Sequence, residues 1–327
     1  MTIRRVLRRA DDLQQRHAWL AFPAAVLRKF ADDRAGGLAA LIAYYGFFSL
    51  FPMLLVLTTV AAYLIHWDPD LQRRILDSAL AQFPVVGTQI RQSVGSITGS
   101  AVALAFGVVA SLWGGLAVLA AVQTAMDEVW DVPRRERAHL IARVLRGLVA
   151  LLALGASVVA ATTTAGLSAS LGPSPLVLGA GLAVSAFINV VTMAIVFRSL
   201  TIARVSWRDV APGAILAGAA WTALQGWGGY IVGRHVVGAG DVYGMFAVVI
   251  GLLSWLYLGA QLTVMAAEVN VVWRNRLWPR SFLPPPAGPQ DERSLALQAR
   301  QEEAVPGERV SVDFERGRSR VEHDGSG

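Results

Sequence analysis

Six stretches of the chain are apolar without relief, at residues 38–65, 100–126, 144–170, 176–197, 210–232 and 242–272. Each is long enough to cross a hydrocarbon layer of about 30 Å, which needs about 20 residues at 1.5 Å rise. No strand alternation interrupts them, so the pattern predicts an all-α, polytopic integral membrane protein with six transmembrane helices. Between the first two runs, residues 66–99 keep a helical period through Leu71, Ile75 and Ala79 and again through Ile90, Val94 and Ile97, with Pro84 and Gly87 between. Two amphipathic helices capping the outer face are expected there, with a shallow re-entrant hairpin as the alternative. Ahead of the first run, Trp19, Phe22, Val26 and Phe30 recur at helical spacing, with Arg28 and Lys29 off that face. This suits a short helix in the headgroup plane or an ordinary packed cytoplasmic helix.

The division that follows is a basic segment at 1–36, a membrane domain at 37–280 and a tail at 281–327. Three successive prolines from Pro284, then Gly, Gln, Glu, Arg and Ser, predict a disordered cytoplasmic tail. Composition agrees: 54% of residues are hydrophobic and only 16% charged, a balance foreign to a soluble domain of this length. Cysteine is absent, which removes disulfides, thiolate metal sites and thiol nucleophiles.

The net charge of +6 is almost all arginine, Lys29 being the single lysine. It gathers before the first run, at Arg134, Arg135, Arg137 and Arg143, at Arg204 and Arg208, and at Arg274, Arg276 and Arg280. The alternate connections hold Arg73, Arg74, Arg91 and Arg234. This is the positive-inside asymmetry, and it predicts both termini in the cytoplasm. The charge reads as orientation and contact with anionic headgroups, which argues against nucleic acid as a partner. No cleavable signal is expected in the basic residues 1–15. Trp67, Trp130, Trp207, Trp273 and Trp278 are expected as interfacial anchors.

Within the runs, Pro52 predicts a kink by losing its bond to the Phe48 carbonyl, a group that Ser49 is placed to satisfy in part. Ala103, Gly107, Ser111 and Gly115, the set Gly181, Ser185 and Asn189, and the pair Gly229 and Gly233 form small-residue stripes that predict close helix packing.

Two long segments carry a family pattern. Residues 38–57 read LAALIAYYGFFSLFPMLLVL and residues 243–270 read YGMFAVVIGLLSWLYLGAQLTVMAAEVN. With EVWDVPRRER at 128–137 and RVSWRDVAPGAILA at 204–217, they resemble the YihY / virulence factor BrkB family of bacterial inner-membrane proteins. The resemblance implies six spans and a bacterial plasma-membrane location. It implies no cofactor, and a role in envelope integrity or export rather than the ribonuclease BN activity once attached to the family. Matched by motif are Tyr44, Tyr45, Ser49, Pro52, Trp130, Arg137, Trp207, Gly213, Tyr243, Gly244, Trp255, Tyr257, Gln261, Glu268 and Asn270. The departure is Val264 to Ala267, where the pattern leads us to expect a glycine beside Glu268; looser packing is expected there.

An enzyme is not expected. His17, His66, His139, His235 and His323 are scattered without metal-ligand spacing, and no phosphate-binding loop is present. The candidate site is therefore the set of polar groups that lipid would penalise. Gln261 lies about 18 Å inward of Trp273, four residues from Tyr257 on one helix face. Asn189 and Ser49 fall at similar depth, and Gln225 lies nearer the outer side.

Two readings stand. With Tyr44, Tyr45, the Pro52 kink and Asn270, these groups line a groove for an amphiphilic substrate, or they bond between helices and hold the bundle. Glu268 either pairs with an inner-loop arginine, Arg137 or Arg208, or couples protons. The function expected is a transporter of a lipid or amphiphilic envelope component without its own ATPase, the alternative a structural scaffold; an intramembrane enzyme is the weakest reading. Expected partners are membrane lipids, an amphiphilic substrate, and further copies or envelope proteins.

Overall fold

The computed structural model describes residues 11, 17–64, 101–172, 174–203, 205–231, 237–281 and 288–314. The expected outer-cap helices at 66–99, Trp67 and Gly233 lie outside the described residues. All the regular structure described is helical. The first helix, α1 (Ala18–Asp32), leads through a tight turn into α2 (Ala35–Leu64). The long helices α3 (Ala101–Val129), α4 (Leu140–Leu171), α5 (Pro175–Leu200), α6 (Trp207–Ile231) and α7 (Val237–Asn275) follow, and α8 (Pro289–Gln301) is the last helix among the described residues.

Five of these helices, α2, α3, α4, α5 and α7, are long and apolar enough to cross a membrane. The expected fifth run corresponds to α6, which has the length, 25 residues, but lies outside that set. Its sequence explains this: Arg208, Asp209, Gln225 and several glycines dilute its apolar residues.

In packing order the helices run α3, α2, α7, α6, α5, α4. Close approach is set by small residues, because lipid leaves no hydrophobic drive between helices. A Cβ on Gly107 would meet Leu55 and Val56 at 3.2 Å, and one on Gly114 would lie 3.0 Å from the Ser49 Cβ. The working stripe on α3 is thus Gly107 and Gly114; Gly115, predicted to share it, has nothing within 4 Å. At the α5–α6 crossing, a Cβ on Gly218 would sit 2.6 Å from the Val190 backbone nitrogen.

Two ends can be told apart. The basic end holds α1, the 130–139 connection, the start of α6, the end of α7 and α8. The far end holds the turn at Gly172, whose φ of 83° suits a residue without Cβ. The tightest core is at the basic end, where Ala25, Met126, Val129, Phe197, Val264, Ala267 and Val272 are buried. The looser packing expected before Glu268 is therefore not found: Val264, Ala266 and Ala267 are all fully buried, alanine serving the close contact as well as glycine.

Within the tail, residues 288–314 depart from the expected disorder, while 282–287 and 315–327 lie outside the described residues. Pro289 opens α8, Asp291 and Glu292 lie in its first turn and Arg300 in its last, which complements the helix dipole. Asp291, Ser294 and Glu303 are buried against the basic end. Arg280, itself buried, donates to Asp291 at 3.1 Å and pairs with Asp32 at 2.9 Å. Gln298 donates to Asp33 and Arg135 pairs with Glu303 at 2.7 Å. Charge and hydrogen bonding hold much of this helix, with Leu297 its apolar contact to the core, which is why composition pointed to disorder.

Candidate functional site

Ala21, Ala25 and Lys29 lie four apart on α1 and are buried, and beside them Val26 is buried while Phe22 and Phe30 pack against the core. Of the predicted apolar face, Trp19 stands away from the core at 72% exposure. Lys29 is 0% exposed. Its ammonium meets Asp33 at 2.5 Å, Asp131 at 3.3 Å and Glu268 at 3.8 Å, and the side chains of all three are nearly or wholly buried. Four segments of the chain converge here: α1, the α1–α2 turn, the end of α3 and α7.

Local geometry aims each carboxylate. Asp131 closes α3 in the left-handed region, φ 50°, with its N–H donating to the Glu128 carbonyl and the Val132 N–H to that of Asp127. This is a Schellman termination in which an aspartate occupies the position glycine usually takes. The left-handed turn points its carboxylate back to Lys29. Asp33 follows α1 directly, four residues beyond Lys29, and Arg34 at φ 51° makes the reversal into α2.

Burial disfavours the lysine's charge, yet Glu268, Asp131 and Asp33 outweigh it and hold the ammonium protonated well above the usual lysine range. Burial pushes the Asp131 carboxyl up to about 6, against the pull of Lys29. One ammonium among three carboxylates leaves the cage over-supplied with acid.

The predicted arginine partners of Glu268 are not used. Arg137 donates to Glu128 at 2.9 Å, and Arg208 is exposed on the first turn of α6. The cation within ion-pair distance of Glu268 is Lys29, which α1 brings in. Trp130 is likewise no surface anchor: it is buried, with Arg274 over its ring at 5.6 Å. Trp207 and Trp273 are half exposed, as anchors should be.

The other candidates separate into pairs. Asn270, fully buried on α7, accepts from the Gly213 N–H at 2.6 Å, beside Pro212 where α6 lacks a donor. A Cβ on Gly213 would lie 2.0 Å from the Ala266 carbonyl oxygen, so the two helices touch backbone to backbone. Asn189 donates to Thr222 at 2.9 Å across α5 and α6, and Gln225 lies half-buried a turn beyond Thr222. Gln261 donates to the Tyr257 hydroxyl at 3.0 Å, and that hydroxyl faces Gly36 at the start of α2. Ser49 donates to the Gly46 carbonyl at 2.8 Å, not to that of Phe48. Helix α2 runs on through Pro52.

Tyr44 and Tyr45 are exposed; Tyr44 lies 4.8 Å from the ring of Phe48. Tyr45 also lines an apolar cleft of about 550 Å³ between α2 and α3, with Leu38, Leu41, Trp113 and Ala117. The residues predicted as one groove thus separate into two interhelical hydrogen bonds, at Asn189 and Asn270, two bonds within a helix, at Ser49 and Gln261, one cleft wall and one charge cage. Lys29, Asp33 and Asp131 were not singled out by sequence. The available signals were a lone lysine in an arginine-rich chain, alanines four and eight residues before it, and an intramembrane Glu268 needing a partner.

Comparison with known proteins comes to the same place as the motifs. A family model described as Virulence factor BrkB matches residues 26–290. The ribonuclease-like protein YfkH of Bacillus subtilis is 26% identical over 269 residues, covering 79% of this chain and 96% of the relative. A UPF0761 membrane protein of Alkalilimnicola ehrlichii is 27% identical, covering 76% of this chain, and one of Pseudomonas paraeruginosa is 28% identical, covering 82%. The matches span 57% and 66% of those two longer relatives. No solved structure matches the chain.

Proposed function

This chain belongs to the Virulence factor BrkB family of membrane proteins, and from that premise we propose that it moves a lipid or other amphiphilic envelope component across a bacterial inner membrane without an ATPase of its own. The observation that carries the reading is the cleft between α2 and α3. Its wall is apolar, it accommodates an acyl chain by volume, and the Tyr45 hydroxyl offers a polar contact at its side. The cage around Lys29 supports it by fixing the basic end, leaving the helices beyond free to rearrange. The ribonuclease label stays with the relative that bears it; a nuclease assay with divalent metal tests that part of the proposal.

Proteoliposomes holding a fluorescent phospholipid test the transport directly. The expected result is faster redistribution of the label than in protein-free vesicles, slowed by Ala117→Trp, which fills the cleft. Redistribution no faster than in protein-free vesicles overturns the reading.

A scaffold that supports the envelope without transport is the second reading, favoured by one observation. The side chains of Asn189 and Asn270, both expected in a groove, are engaged in bonds that join neighbouring helices.

A further inference from the structure

At the basic end, on the side of the bundle away from the α2–α3 cleft, lies a second cleft of about 560 Å³. It is formed by the first turns of α4, the last turns of α5 and the connection into α6. Arg146 and Arg198 enter it, with Thr201, Trp207, Val149 and Ile195. The Arg198 guanidinium is held in place: it donates to the Val205 carbonyl at 2.7 Å and lies 4.7 Å above the Trp207 ring.

Neither arginine has a carboxylate at ion-pair distance among the described residues. Asp127 feels Arg146 together with Arg137 and Arg143, but its pair within 4 Å is Arg143. One Arg146 terminal nitrogen is buried without a hydrogen-bond partner. So is the hydroxyl of Thr201, a residue only 5% exposed. Buried donors are normally satisfied, and two donors beside this one basic cleft have no partner within the protein.

We propose that this cleft binds the phosphate headgroup of an anionic phospholipid in the leaflet at the basic end. The Arg146 and Arg198 guanidiniums and the Thr201 hydroxyl donate to the phosphate oxygens. Guanidinium groups suit this role because their planar forks match phosphate geometry. The apolar part of the wall selects a lipid over a free anion. Val149 and Ile195 continue the cleft along the helices toward the hydrocarbon, and Val149 is half exposed there. Basic pockets between transmembrane helices at this level are a recurrent form of headgroup recognition. The inference does not rest on transport, since a protein that moves nothing can still hold a lipid.

Native mass spectrometry of the full chain tests it, with micelles containing phosphatidylglycerol, phosphatidylcholine, or inorganic phosphate alone. The expected result is one retained phosphatidylglycerol adduct, about tenfold more abundant than the phosphatidylcholine adduct. It should fall about tenfold in the Arg146→Gln, Arg198→Gln double variant and stay unchanged in Arg293→Gln, an exposed position on α8. Thr201→Val, which keeps both charges and the packing shape, should lower it about fivefold. Equal adducts of the two lipids overturn the proposal. So does retention by the double variant or, should that variant not fold, unchanged binding by Thr201→Val. Displacement of the lipid by inorganic phosphate at equal concentration shows a free-anion site and overturns the lipid assignment.

Discussion

At the basic end of the molecule, Lys29, Glu268, Asn270 and Arg280 are buried to 2% exposure or less, each tied to another segment of the chain. Toward the far end, Leu176 and Phe246 stand 85% and 78% exposed, and Gly181 lets α5 approach Ser168 of α4 closely. The difference follows from the solvent each region meets. Water at a membrane surface makes charge pairing and apolar burial both useful, so the basic end packs like a soluble domain. Within hydrocarbon, exposed leucine and phenylalanine cost nothing, and helices associate through close backbone approach. Among the described residues, the charge pairs that join separate segments gather at the basic end.

Removing the lysine is the strongest way to break this contrast. Lys29→Met leaves three buried carboxylates without their counter-charge and should cost about 3–5 kcal/mol. Denaturation of the purified protein in detergent measures it; an unchanged midpoint means the cage does not hold the basic end together.

The pH dependence comes next. The folded pKa of Asp131, about 6, lies above the ordinary value, so its protonated form is favoured by folding. Its contribution is full below about pH 4 and disappears as the pH rises through about 6, a difference of at most about 3 kcal/mol. Asp131→Asn should flatten stability across that window, and a slope that survives the substitution places the titration elsewhere.

Glycine substitutions sharpen the comparison within the bundle. Gly213→Ala drives a methyl group against the Ala266 carbonyl and should cost about 1–3 kcal/mol. Gly155→Ala, with nothing within 4 Å, should be neutral or slightly stabilising. Equal effects at both positions would dissolve the distinction between tight and loose crossings. Smallest is Asn189→Leu, which loses its bond to Thr222 at about 0.6–2 kcal/mol. An effect confined to cellular phenotype, with stability unchanged, would move Asn189 from packing to function.

The all-helical membrane architecture was legible in the sequence because lipid imposes a length and a composition that few other folds share. Glu268 and Asn270 were legible as conspicuous polar residues, and the segment 128–137 as a motif. The site itself was not. The predicted apolar face of α1 does pack, through Phe22, Val26 and Phe30, but the alanines beside it that carry Lys29 inward leave no mark on a helix wheel read for large apolar residues. Asp131 was hidden by its backbone, since a left-handed helix terminus at aspartate leaves no apolar period to read. The helix α8 was masked by the prolines before it, although Pro289, Asp291, Glu292 and Arg300 spell its start and end. Pairings such as Lys29 with Glu268, 239 residues apart in sequence, depend on tertiary placement that periodicity does not encode.

The chain's single lysine makes the central claim directly measurable. Native protein in detergent is treated with an amine-reactive ester and digested, and the peptide carrying Lys29 is followed by mass spectrometry, separately from the terminal amine. With the ammonium enclosed by Asp33, Asp131 and Glu268, that peptide should stay unmodified in the native protein and react fully once denatured. Rapid modification of Lys29 in the folded protein would contradict the account.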